Sequence, residues 1–209
     1  MPITVSLVED NDGLRETLAA LLNEVPGLRC VGAYGTGEAA ARGIPFDRPD
    51  VALVDINLPG MSGIECVAQL KAELPGLRIL MLTMYEQSDL IFNSLCAGAS
   101  GYLLKNTPRA ELIQAIEKTH TDGAFMSMSI ARKVIDYFQE HSPPAAALKA
   151  LTRPERQVLE LLAQGCYFRE ISEALGINAG TVQSHLHSVF NKLQVKSRAP
   201  GAIKVRSGA

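Results

Sequence analysis

Five short apolar runs, Ile3–Val8, Leu28–Tyr34, Val51–Val54, Ile79–Leu82 and Gly101–Leu104, are separated by amphipathic segments of helical period. A chain that alternates strand and helix in this way buries both faces of a parallel sheet under its crossover helices. The first part of the sequence therefore predicts an α/β fold with a doubly wound, five-stranded parallel sheet. Local punctuation agrees. Ser62-Gly-Ile-Glu65 has capping-box spacing ahead of the third helix, and Thr107-Pro108 offers an N-cap and a proline at N1 for the fifth.

After Gly123 the strand signals stop. Ser129–Gln139 carries Ile130, Val134, Ile135 and Phe138 at helical spacing. The following His141-Ser-Pro-Pro-Ala-Ala-Ala-Leu-Lys-Ala150 contains two consecutive prolines, which cannot continue a helix and give a stiff, extended start to a linker. From Leu151 the chain reads as all-α, with Thr152–Glu155 at capping-box spacing and Gly165 and Gly176 where helices should end at positive φ. The expected organisation is a domain at 1–125, a linker helix and Pro/Ala linker at 126–147, and a small helical domain at 148–209.

The two halves are electrostatically opposite. Residues 1–125 hold 9 Lys and Arg against 16 Asp and Glu, net −7, whereas 126–209 hold 11 against 6, net +5. After Glu173 no acid remains, while Lys192, Lys196, Arg198, Lys204 and Arg206 follow, as expected of a surface that meets phosphates. No apolar run is long enough to span a membrane. The start, MPITVSLVED, lacks a secretory pattern, so a cytoplasmic location without membrane association is expected. Cys30, Cys66, Cys96 and Cys166 are far apart and sit in apolar elements, which favours packing over disulfide or zinc chemistry.

In open parallel sheets, ligands bind beyond the carboxyl ends of the strands. The polar residues there are Glu9 and Asp10 after the first strand, Asp55 after the third, Thr83 after the fourth and Lys105 after the fifth. Three converging carboxylates repel unless a cation joins them, and an open site of oxygen ligands suits Mg²⁺. With a metal at the acidic pair, Asp55 is placed to accept a phosphoryl group, Lys105 to neutralise another phosphoryl oxygen and Thr83 to donate a hydrogen bond. The expected product is an aspartyl phosphate. A hydrolytic metalloenzyme is disfavoured, since no general base or nucleophile other than Asp55 is evident; the chain is expected not to be an enzyme.

In the last part, residues 168–175 and 179–194 read as two helices separated by Gly176-Ile-Asn178, the spacing of a helix-turn-helix with Asn178 as N-cap. Val182, Leu186, Val189, Phe190 and Leu193 form the buried stripe of the second helix. Its other face carries Gln183, Ser184, His187, Ser188, Asn191 and Lys192, with no acid, as suits a helix in the major groove. His185 and His187 are two apart, so they point to different faces and cannot share a metal. His185 is expected to fix the helix and His187 to meet DNA.

Residues 1–122 resemble the receiver domain of two-component response regulators, a flavodoxin-like fold. The likeness is carried by Val8-Glu-Asp-Asn11, Leu53-Val-Asp-Ile-Asn-Leu-Pro-Gly-Met-Ser-Gly63, Leu82-Thr-Met84 and Gly101-Tyr-Leu-Leu-Lys-Asn106. The resemblance implies Mg²⁺ bound by Glu9, Asp10, Asp55 and the backbone carbonyl of Asn57, with Asp55 phosphorylated by a sensor histidine kinase. It also implies a switch in which Thr83 moves toward the phosphoryl group and Tyr102 turns inward. Residues 148–199 resemble the LuxR-type helix-turn-helix through Leu151-Thr-Arg-Pro-Glu-Arg-Gln-Val-Leu159, Gly165, Arg169-Glu-Ile-Ser172, Leu175-Gly-Ile177, Gly180-Thr-Val-Gln-Ser-His185, Lys192-Leu193 and Arg198. The whole chain thus resembles the NarL/FixJ family. That implies binding to double-stranded DNA, with Gln183, Ser184 and His187 facing the bases or groove and Arg169, Thr181 and Lys192 approaching phosphates, and homodimerisation on phosphorylation.

The chain departs from the family pattern at several positions. Gln183 stands where lysine is usual, Gln194 where glycine is usual, Tyr167-Phe168 where small polar residues are usual, and Pro200-Gly201 where a last, dimer-forming helix normally begins. Gln183 and Pro200-Gly201 motivate a second reading, a protein-interaction module whose helix-turn-helix no longer binds DNA tightly. The opposite net charges and short linker suggest a further expectation: the unphosphorylated acidic domain covers the basic recognition surface.

Overall fold

A computed structural model of the protein describes residues 1–140, 148–164, 166 and 168–194. The Pro143-Pro144 linker, Gly165, Tyr167, Arg198, Pro200-Gly201 and the final basic residues lie outside the described set. The elements are β1 (Ile3–Val8), α1 (Asp12–Glu24), β2 (Leu28–Tyr34), α2 (Gly37–Asp47), β3 (Val51–Val54), α3 (Gly63–Glu73), β4 (Arg78–Thr83), α4 (Ser88–Ala97), β5 (Gly101–Leu104), α5 (Arg109–Asp122) and β6 (Phe125–Met126). Helices α6 (Met128–Glu140), α7 (Arg153–Ala163), α8 (Phe168–Leu175) and α9 (Ala179–Gln194) complete the chain.

Strands pair in the order β2-β1-β3-β4-β5-β6, all parallel. Side chains alternate across this sheet, and the core divides accordingly. Val5, Leu7, Val51, Leu53, Leu80 and Leu82 pack under α1 and α5 through Leu18, Leu22, Leu112 and Ile116. Val8, Ala52, Val54, Ile79 and Met81 face α2, α3 and α4. The continuous apolar runs are what strands buried on both faces require.

Two expectations need correction. The sheet has six strands, not five: Phe125 and Met126 pair with Gly101 and Tyr102. A two-residue strand is too short to leave a periodic signal. The fifth helix begins at Arg109, with Pro108 as N-cap and no side-chain cap, so Thr107 does not cap it. Elsewhere the caps fall where the sequence puts them. Ser62 and Glu65 form a reciprocal capping box, and Asn178 accepts the amide of Thr181 at 2.8 Å. Gly176 adopts φ +64° in the turn between α8 and α9, a conformation that glycine takes without steric cost.

Helix α6 follows directly on β6 and buries Ile130, Ala131 and Val134, and it packs against α4. The same apolar cluster continues through α4 into Leu151, Val158, Leu162, Ile171, Val182, Leu186, Val189, Phe190 and Leu193. Sheet, α4, α6 and the C-terminal helices therefore share one packed interior.

The start of α3 is pressed against the loop that carries Asp55. The Gly63 amide donates to the Ile56 carbonyl at 2.8 Å, and a Cβ on Gly63 would lie 1.8 Å from the Asp55 carbonyl oxygen. No backbone atom can yield that far without moving the loop. Gly63→Ala is expected to lower unfolding stability by about 2–3 kcal/mol, as overpacked sites do, and to displace Asp55. Denaturant melts together with chemical shifts of the Asp55–Gly63 loop check this.

Candidate functional site

Strands β1, β3, β4 and β5 end side by side; β1 delivers Glu9 and Asp10 there, and the others deliver Asp55, Thr83 and Lys105. The Val8 carbonyl accepts the Asp55 amide at 2.9 Å, and the Thr83 carbonyl accepts the Lys105 amide at 2.8 Å. Those backbone bonds join β1 to β3 and β4 to β5, and the pairing of Val54 with Met81 sets β3 against β4. Glu9 and Asp55 are buried, at 3% and 5% exposure, whereas Asp10 and Asn57 are exposed.

Two nearly buried carboxylates need a counter-charge. Lys105 supplies it: its Nζ lies 2.6 Å from Glu9 Oε2 and 2.8 Å from Asp55 Oδ2. The other Asp55 oxygen, Oδ1, accepts from the Ile56 amide at 2.7 Å. Burial pushes the Glu9 carboxyl above its ordinary value, with the Lys105 ammonium acting in the opposite sense. For Lys105 burial acts downward, but the hydrogen bonds to Asp55 and Glu9 outweigh it and hold the ammonium above its usual value. Arg15 braces the acidic loop from outside through the Glu9 carbonyl, at 2.7 Å.

Glu9, Asp10 and Asp55 bring one oxygen each within 4.8 Å of one another. Ligands of an octahedral Mg²⁺, at about 2.0–2.1 Å from the ion, lie roughly 3 to 4 Å apart. A closure of about 1–2 Å converts one arrangement into the other, so the donor set fits a hard divalent cation.

Thr83 is fully buried, and its hydroxyl has no hydrogen-bond partner. An unpaired buried hydroxyl costs stability, and here it lies on the strand beside Asp55. Tyr102 is also fully buried and donates to the Tyr85 carbonyl at 2.8 Å. Its ring already occupies the interior, the position to which the resemblance expects it to turn.

In the C-terminal helices, Thr181 sits at the start of α9 with its hydroxyl 3.0 Å from Asn178 Oδ1, and Ser184 is exposed and donates to the Gly180 carbonyl at 2.9 Å. Arg169 and Gln183 lie on α8 and α9; their side chains are outside the described set. Lys192 does not stand free. Its Nζ lies 2.7 Å from both oxygens of Glu155, which also accepts from Ser188 at 2.6 Å and from the Thr152 amide at 2.7 Å. Burial alone would raise the Glu155 carboxyl, but these donors, Lys192 foremost, hold it down at about 2.

His187 faces the first domain. Its Nδ1 is 3.4 Å from the Leu95 carbonyl of α4, a group that only accepts, so the bond requires the proton on Nδ1. Three residues along, Phe190 meets Phe92 of α4 edge-on, with centroids 5.5 Å apart, and Phe92 stacks at 4.2 Å on Tyr137 of α6. The recognition helix thus lies against α4. Sequence reasoning gave Phe190 to the stripe inside its own domain and missed that the ring is shared. It also read Glu155 only as a capping residue. The available signal was the sparing use of aromatic residues, 5% of the chain, three of them on helices that meet.

Comparison with known proteins agrees with this architecture. Residues 5–117 match the model of the response regulator receiver domain, and residues 149–204 match that of bacterial regulatory proteins of the luxR family. The chain is 35% identical over 195 residues to the transcriptional regulatory protein UhpA of Escherichia coli (strain K12), covering 93% of each. It is 32% identical over 201 residues to the transcriptional regulatory protein LiaR of Bacillus subtilis (strain 168), covering 96% of this chain and 95% of the relative. A LuxR-family two-component response regulator from Aurantimonas sp. SI85-9A1 superposes with a TM-score of 0.61 at 31% identity, over 66% of this chain and 98% of that one. The response regulator ChrA of a heme-sensing two-component system superposes with a TM-score of 0.54 at 30% identity, over 92% and 90%. The chain belongs to the NarL/FixJ family of two-component response regulators, with a receiver domain and a LuxR-type DNA-binding domain, and is a phosphorylation-controlled transcription regulator. Among the described residues no helix is long and apolar enough to cross a membrane.

The Glu155 network makes a pH prediction. A carboxyl held at about 2 when folded, against an ordinary 4.5, contributes stability that is complete above pH 4.5 and lost as pH falls toward 2. The stability difference between the native chain and Glu155→Gln is expected to shrink by about 3 kcal/mol over that range. Denaturant unfolding of both chains at a series of pH values, followed on the C-terminal domain, measures it; a constant difference contradicts the assignment.

Proposed function

We propose that Asp55 is the phosphoacceptor and that its phosphorylation by a sensor histidine kinase releases α9 from α4 for DNA binding. The observation that carries this reading is the Lys105 ammonium shared between Asp55 and Glu9 next to the unpartnered Thr83 hydroxyl. A buried acid neutralised by a shared cation, with an idle donor beside it, is prepared for a new anion. An Asp55 carboxylate oxygen attacks the phosphorus of a phosphohistidine, the P–N bond breaks with its electron pair passing to that nitrogen, and the ring, already protonated on its other nitrogen, leaves as neutral imidazole. A Mg²⁺ held by Glu9, Asp10, Asp55 and the Asn57 carbonyl would neutralise the phosphoryl oxygens during transfer.

On Asp55, the phosphoryl group offers acceptors that satisfy Thr83 and compete with Glu9 for Lys105. Movement of Thr83 draws on the loop of Tyr85 and Glu86. That loop is tied to Tyr102 by a hydrogen bond and to α6 by the Lys133–Glu86 ion pair at 3.3 Å. Helix α4, which begins two residues after Glu86, then loosens its hold on His187 and Phe190. Freed, α9 presents Gln183, Ser184 and His187 to the major groove, with Arg169, Thr181 and Lys192 toward phosphates. The reading includes a cytoplasmic protein that binds double-stranded DNA as a homodimer once phosphorylated.

Two outcomes test it. Asp55→Asn, which keeps the side-chain shape, should abolish acid-labile labelling by acetyl phosphate and Mg²⁺; labelling at the native level would assign the nucleophile elsewhere. Phe92→Leu removes one aromatic contact across the α4–α9 boundary, a contact type with a value of about 0.5–1.5 kcal/mol. The unphosphorylated Phe92→Leu chain should bind promoter DNA about threefold to tenfold more tightly than the native chain at equal salt. Unchanged affinity, with the fold intact by circular dichroism, would remove α4 as the restraint.

A further inference from the structure

Between α3, the end of α4 and α9 lies a cavity of about 570 Å³, within the range of small-molecule sites. Its walls come from both domains. Ala68 and Ala72 of α3, Leu95 of α4 and Met126 of β6 line the receiver side, while Ser184, His187 and Phe190 line the other. The receiver wall is mostly apolar, and the opposite wall adds an aromatic ring and hydrogen-bonding groups. Because one wall, Ser184, Leu186, His187 and Phe190, belongs to α9, the cavity is complete only while α9 rests on α4.

Lys71 stands at the same cavity. Its stem lies over the α4 C-cap, where a Cβ on Gly98 would come within 2.8 Å of Lys71 Cγ. Its ammonium donates to the carbonyls of Pro75, at 2.5 Å, and Leu77, at 2.9 Å. Two of its three protons are thereby used. Among the described residues no carboxylate lies within ion-pair distance of it, and burial pushes its pKa below the ordinary value, Arg78 adding to the effect. A partly buried ammonium that satisfies carbonyl dipoles but no charge attracts an anion.

We infer that this cavity is an effector site for a small amphipathic carboxylate, whose anionic head pairs with Lys71 and whose aliphatic tail lies along Ala68, Ala72, Leu95 and Phe190. The ligand binds the closed arrangement, in which both walls are present, and not the open one. It therefore holds the recognition helix against α4 and opposes DNA binding, by an amount set only by its preference for the closed state. The coupling to DNA rests on the closed state described under the proposed function; binding itself does not.

Octanoate is the probe and octanamide its uncharged control, each titrated calorimetrically into the unphosphorylated full-length chain. Octanoate should bind at least tenfold more tightly than octanamide. Lys71→Met should weaken octanoate at least tenfold, and Lys71→Arg should largely preserve it. Ala68 and Ala72 are exposed alanines on α3, so Ala68→Phe with Ala72→Phe fills the cavity without entering the core and should abolish binding. Absence of binding at millimolar octanoate, equal binding of octanamide, or binding indifferent to the phenylalanines would overturn the site. In a separate arm, saturating octanoate should lower the affinity of the full chain for DNA by the same factor by which DNA lowers its affinity for octanoate. Lys71-dependent binding with no effect on DNA would refute the effector role while leaving the phosphoacceptor assignment untouched. Failure of Asp55→Asn to block labelling would overturn that assignment without altering the octanoate result.

Discussion

One ammonium holds two buried carboxylates together. Lys105 between Glu9 and Asp55 lets the strand ends carry acids in a nearly dry site, and no other part of the pocket makes sense without it. Parallel pairing aligns the ends of β1, β3, β4 and β5, and the pleat sends alternate side chains to opposite cores. The strand termini are then free to be polar. The acids that would otherwise repel are a structural cost, offset by Lys105 and, on the proposed reading, by a divalent cation with a phosphoryl group in the phosphorylated chain. On the proposed reading, a switch arises because the two ways of balancing charge demand different positions of Lys105 and Thr83.

On the same reading the consequence travels through α4, which serves three neighbours at once. Phe92 is buried in the receiver, stacks on Tyr137 of α6 and meets Phe190 of α9. The opposite net charges of the two halves suggested that electrostatics would bring them together. The contact that forms includes an aromatic edge and a hydrogen bond from His187 to Leu95. Aromatic contacts of this kind depend little on salt but strongly on geometry, so a small shift of α4 is enough to weaken them. Within the DNA-binding half, Glu155 plays the complementary role. It accepts from Ser188 and Lys192 on α9, joining the recognition helix to the start of α7.

Much of this was legible in the sequence for physical reasons. Strands buried on both faces must be short and continuously apolar, so β1, β2, β3 and β5 fall within the residues that the apolar runs mark. Ser62, Gly176 and Asn178 announce helix ends because few residues satisfy those backbone demands. Glu9, Asp10, Asp55, Thr83 and Lys105 could be gathered because parallel topology dictates that strand ends converge. The misses share a different cause. Strand β6 is two residues long and pairs only through its backbone, while Phe92, Tyr137 and Phe190 meet through tertiary packing that no periodicity encodes. Glu155 has a local role that explains it fully, which hid its longer reach to Lys192.

The central claim is that the phosphoryl group on Asp55 changes the packing of α4 against α9. Amide hydrogen exchange of the full-length chain, with and without acetyl phosphate and Mg²⁺, tests it most directly. The account predicts that protection falls together in α4, around Ile91–Ala97, and in α9, around Leu186–Leu193, while the β3 core stays protected. Unchanged protection of both helices in a chain shown to be phosphorylated on Asp55 and to bind DNA more tightly would contradict it.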